Sequence, residues 1–132
     1  IIMSDELTYL TYTALLTLLL WVPYILNQIS TLGLLNALGY PENANPGADW
    51  ARRLKAAHYN AVENLVVFAT LVLIVEVSGI GSAATAFSSM IFFFSRIVHV
   101  LSYTFAVPYV RTLSFAVSFF AMMGIAWQII TG

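Results

Sequence analysis

Residues 51–68 read ARRLKAAHYNAVENLVVF, and the order of residue types in that stretch decides the fold. Arg52, Arg53 and Lys55 lead it, His58, Asn60 and Glu63 follow, and an unbroken run of Val, Leu, Ile and Phe then takes over. A helix that begins charged and ends as hydrocarbon starts at headgroup level and continues into a bilayer. The other long segments are close to pure hydrocarbon. Carrying an amide and a carboxylate that far into an apolar segment is costly, and a partner or a ligand is the usual reason for it.

Working outward, the composition agrees. The chain has 132 residues, of which 61% are hydrophobic and 8% charged, whereas a soluble domain carries roughly 25% charged residues. Too few polar side chains exist to cover a globule, so the sequence predicts an integral membrane protein. The net charge of −1 excludes nucleic-acid binding, which needs a basic face. The absence of cysteine removes disulfides, thiol catalysis and Cys-based zinc sites, and two His with six acids leave few metal ligands. No cleavable signal peptide is expected, because the first apolar segment is long and follows Asp5 and Glu6, not a basic region.

Four spans follow, at 7–35, 50–77, 83–107 and 109–130. The first contains Pro23, expected to kink it, with Asn27 and Gln28 a turn beyond. Those two either bridge helices near the interface or sit at the mouth of a ligand cleft. The segment 36–50, NALGYPENANPGADW, is rich in Pro, Gly and Asn and reads as a polar loop, with Asp49 the expected N-cap of the second span. The run Ser78-Gly79-Ile80-Gly81-Ser82 reads as a tight turn, and Pro108 ends the third span. Connections this short predict an all-α, antiparallel up-down-up-down four-helix bundle in one domain, 1–132. The positive-inside rule places Arg52, Arg53, Lys55 and Arg111 on the cytoplasmic side and both termini outside. The short loops suggest a bacterial inner membrane.

At about 100° per residue, Arg52, Lys55, Tyr59 and Glu63 share one stripe of the second span, with Asn60 on its flank. Arg96, His99 and Tyr103 share a face of the third. Two readings stay open for them. In one the charges neutralise each other, Glu63 pairing with Arg96 and His99 donating to a carbonyl. In the other they hold an anionic, amphipathic ligand at the cytoplasmic end. Arginines would take its carboxylates, Asn60 and Glu63 its amide and ammonium groups, and Tyr103 and Arg111 a thiolate or oxyanion. A lipophilic co-substrate would then enter from the membrane along the Phe-rich third span. Glu76, close to the 78–82 turn, reads as interfacial, and His58 as a helix-surface or interfacial residue.

Lys55-Ala-Ala-His-Tyr-Asn-Ala-Val-Glu-Asn64, followed by an apolar span, resembles the R-A-H-x-N-x-x-E-N signature of the MAPEG family, the membrane-associated proteins in eicosanoid and glutathione metabolism. Arg96-Ile-Val-His-Val-Leu-Ser-Tyr103, then Pro108 and Arg111, is similar to that family's R-x-x-H-x-x-x-Y…P…R. Order and layout agree over essentially the whole chain. The resemblance implies a homotrimer binding glutathione between subunits, and a divergent, bacterial-type member. It carries Arg111 as the thiolate-stabilising residue and Tyr103 as a hydrogen-bond donor. Asn60, Glu63 and His99 fall at glutathione-binding positions, with Arg53, Lys55 and Arg96 as further candidates.

Two departures weigh against glutathione. Ala56 stands where glutathione-using members have arginine; Arg53 and Lys55 emerge about 60° and −100° from it. The first span offers Asn27 and Gln28 in place of a basic residue. An arginine–carboxylate pair in a partly dry site is worth roughly 2–5 kcal/mol. The implied functions are a glutathione S-transferase or peroxidase acting on lipophilic electrophiles or lipid hydroperoxides, or a non-catalytic lipid-binding or accessory subunit of a membrane complex. A channel or transporter is the third reading, disfavoured by the lack of paired broken helices.

Overall fold

The computed structural model describes residues 2–40 and 47–132. Its elements are α1 (Asp5–Leu32), α2 (Leu34–Leu38), α3 (Asp49–Ser78), α4 (Ala83–Thr104) and α5 (Val110–Thr131). All but α2 are long and apolar enough to cross a membrane. They form the expected antiparallel all-α bundle. The predicted first span is shorter than expected: it runs through Pro23 but stops at Gly33, whose φ of +81° breaks the helix before α2. Most of the predicted polar loop, 41–46, lies outside the described residues.

Local chemistry sets each remaining boundary. Gly79, at φ +68°, closes α3 by donating to Val75 and Glu76 carbonyls. Ser82 and Thr85 then open α4 with a reciprocal capping box, so the tight turn is as expected. At the start of α3 the N-cap is Ala48, not Asp49. Asp49 is the first helical residue, and its carboxylate is engaged by Arg52 one turn on. The α4–α5 connection takes two non-glycine residues through the left-handed region, Ala106 (φ 55°) and Tyr109 (φ 67°).

α4 is the central element, packing on α1, α3 and α5, while α1 and α5 do not pack on each other. Phe68 of α3 and Phe92 of α4 stack with centroids 4.0 Å apart. Both are fully buried, with Val72, Val75, Met122 and Ile125 around them. The two ends of the bundle differ in charge. At one, Glu6 accepts from Thr85 Oγ1 at 2.9 Å and Ser4 donates to Glu76. At the other, Asn27 Oδ1 accepts the Ala48 N–H at 3.1 Å, which is the bridging role expected of it. His58 is half-buried and shares a 2.8 Å hydrogen bond with Tyr24 Oη, so it ties α3 to α1 instead of lying on the surface.

Gly47 is required at the Asn27 bridge. Its φ is +85°, and an added Cβ would stand 2.7 Å from Asn27 Oδ1. Gly47→Ala is therefore expected to cost about 1–3 kcal/mol, through left-handed strain and loss of the Asn27–Ala48 bond. Thermal unfolding in detergent measures it; an unchanged midpoint would show the bridge to be dispensable.

Candidate functional site

Several of the side chains that the sequence singles out meet at the basic end of the bundle. α4 winds from its buried Phe92 through Ser95, Arg96, His99 and Ser102, all on the face turned into the bundle. Tyr103, one turn beyond His99, presents its ring edge-on to the imidazole at 5.7 Å. α5 begins just past the loop, and its first turn brings the Arg111 guanidinium over the Tyr103 ring, 5.0 Å from the centroid. That is a cation–π contact, which fixes the planar cation without neutralising it.

Asn60, His99, Tyr103, Arg111, Thr112 and Phe115 line an open cleft of about 310 Å³. A second cleft of about 380 Å³ shares Tyr103, Arg111 and Thr112 and is completed by Arg53 and the 106–109 loop. Arg53 is held by its Nε–H to the Thr104 carbonyl at 2.8 Å, at the C-terminus of α4, where a cation is favoured. Among the described residues, no carboxylate lines either cleft. His99 Nδ1 and Arg96 Nε are buried without a partner, and such atoms are costly unless a further group satisfies them. A cleft bordered by guanidiniums and free of acids suits an anion.

The other candidates lie elsewhere. Lys55 and Glu63 are exposed on the outer stripe of α3 with Arg52 and Tyr59, so the predicted stripe exists and faces away from the bundle. Lys55 Nζ sits over the Tyr59 ring at 5.8 Å. Arg96 is 1% exposed and lies behind the cleft wall. It does not pair with Glu63: among the described residues the one ion pair is Asp49–Arg52. Arg96 Nη2 instead donates to Asn60 Oδ1 at 2.5 Å and Nη1 to Ser118 Oγ at 3.4 Å. The reason is angular, since Glu63 projects outward about 60° round the helix from Asn60. The expected His99–carbonyl bond is likewise absent at Nδ1. Thr112 and Phe115, which line the cleft, and Ser118, which accepts from Arg96, are not singled out by the sequence. Phe115 and Ser118 fall four and seven positions after Arg111, a helical spacing that marks them as facing the same way.

These observations define a multi-pass membrane helical bundle whose embedded polar side chains gather in a cleft at its basic end. The MAPEG family model matches residues 8–131, and the chain belongs to the MAPEG family. No curated protein matches it.

Proposed function

We propose that the protein is a membrane-embedded glutathione S-transferase or peroxidase acting on lipophilic electrophiles or lipid hydroperoxides. The observation that carries this reading is the convergence of Asn60, His99, Tyr103 and Arg111 on one cleft that, among the described residues, has no acid in its lining. Glutathione bears two carboxylates, so an acid-free, arginine-bordered cleft fits it. With its thiol near Arg111, the cation favours the thiolate and raises the reactive fraction at neutral pH. In conjugation the sulfur bonds to the electrophilic carbon and the leaving group departs with the electron pair. With a hydroperoxide, sulfur attacks the distal oxygen, the alcohol leaves, and a second glutathione converts the sulfenic acid to disulfide and water. No metal is needed in either route.

The exposed stripe on α3 supports the homotrimer. Glu63 lies on it, and so do Val66, Leu73 and Val77 further down the span. A carboxylate facing acyl chains is expensive, and a second copy of the chain covering that stripe removes the cost. Glu63 then stands at a subunit boundary, one turn from Asn60, where it can take the glutathione ammonium. Native mass spectrometry in mild detergent is expected to give three copies; a stable monomer would leave Glu63 in lipid and contradict the intersubunit site.

One feature favours the second reading, a lipid-binding or accessory subunit. A cleft of about 340 Å³ between α4 and α5, lined by Phe94, Val98, Leu113 and Val117 among others, opens on the outer face and is almost wholly apolar. Purified protein mixed with glutathione and either a lipophilic electrophile or a lipid hydroperoxide separates the two. Acceleration over the protein-free rate is expected for the enzyme, and none with either class would leave lipid binding as the function.

A further inference from the structure

Arg96 is buried in the middle of three helices with, among the described residues, no carboxylate against it. A guanidinium has only donors, and burying it in a membrane bundle demands acceptors. Two are supplied. Asn60 Oδ1 takes Nη2 at 2.5 Å, and Ser118 Oγ takes Nη1 at 3.4 Å. Asn60 Oδ1 also takes Asn64 Nδ2 at 3.2 Å. Turning the Asn60 amide over would set its NH₂ against two other sets of N–H donors. The buried charge therefore permits one orientation only, with Oδ1 toward Arg96 and Asn64, and Asn60 also lines the cleft. Ser118 in turn donates to the Phe115 carbonyl at 2.8 Å, and Phe115 lines the same cleft. One guanidinium thus braces the α3 wall and the α5 wall from behind.

We propose that Arg96 is a positioning residue: it locks the Asn60 amide with its N–H donors facing the cleft, so that this corner of the site takes a carboxylate or carbonyl oxygen and rejects an ammonium. The inference rests on the glutathione reading and sharpens it. Asn60 holds one of the tripeptide's acceptor groups, and the ammonium is left to Glu63. Two donors converging on Oδ1 polarise the amide and strengthen the N–H groups on its far side.

The test uses the full-length protein in detergent and S-hexylglutathione, a conjugate that binds without reacting. Asn60→Asp keeps an oxygen for Arg96, so its unfolding midpoint is expected to match or exceed the parent's. It removes the donor and puts a negative charge before an acceptor, so affinity is expected to fall about 10- to 100-fold. Binding by Asn60→Asp that equals or exceeds the parent's would overturn the proposed orientation, because an ammonium at this point gains from the carboxylate. Arg96→Lys supplies the second line of evidence. Lysine offers a point charge that cannot span Asn60 and Ser118 together, so it is expected to weaken binding, and Asn60→Ala combined with it should be no weaker than Asn60→Ala alone. Losses that simply add would show Arg96 to act apart from Asn60 and contradict the positioning role. Parent protein that fails to bind the conjugate at all would instead overturn the glutathione reading on which the role depends.

Discussion

Replacing Arg111 with alanine is expected to lower glutathione-dependent turnover roughly 100- to 1000-fold, the scale of removing one preorganised donor to a developing anion. The residue is well placed for so large an effect. Its guanidinium is held over the Tyr103 ring, borders both clefts and, among the described residues, faces no carboxylate in either. Its charge is therefore available to a ligand. Arg111 is also exposed on the protomer, so the substitution should leave the unfolding midpoint almost unchanged, within about 0.5 kcal/mol. Arg111→Lys keeps the charge but loses the planar stack on Tyr103, and an intermediate rate is expected. Steady-state assays beside thermal unfolding read both quantities. A rate for Arg111→Ala within a few-fold of the parent would remove this residue from the chemistry.

The largest expected loss of stability comes from Phe92→Ala, at about 2–3 kcal/mol. Phe92 is fully buried and stacked on Phe68 between α3 and α4, two of the three helices that wall the cleft. In a bilayer the hydrophobic term nearly cancels, since acyl chains solvate a phenyl ring as well as a protein interior does. What remains is lost dispersion and an unfilled cavity, at roughly 24 cal/mol per Å³ of void. Phe92→Leu fills part of the void and should recover about half the loss. Steric trapping or thermal unfolding in detergent measures the series, and equal midpoints for all three proteins would place the packing centre elsewhere.

Most of the architecture was legible because a bilayer admits few solutions. The four apolar runs, the Ser78–Ser82 turn and the reversal at Pro108 each had one reading under backbone satisfaction. What escaped depended on side-chain direction. Asp49 looked like a cap by residue type, but Arg52 at i+3 holds its carboxylate. Glu63 and Arg96 looked like an ion pair by charge, yet they project differently, and the neutral Asn60 takes the cation. His58, a polar residue near a helix start, gave no sign of the Tyr24 hydroxyl on a distant part of the chain. Ser118 sits in a run of Phe, Ala and Val and carries little signal beyond the small-polar repeat with Ser114. Helical spacing put His99 and Tyr103 on one face, and a shared end of the bundle set Asn60 and Arg111 beside them; that Glu63, expected with them, turns outward and that Thr112 and Phe115 complete the cleft needed the fold.

The most direct measurement is an ultraviolet difference spectrum of purified protein with millimolar glutathione at neutral pH, recorded for the parent and for Arg111→Ala. A thiolate band is expected in the parent and is expected to be missing from the variant. No thiolate band in the parent, or one of equal size in both proteins, would contradict the proposed thiolate stabilisation.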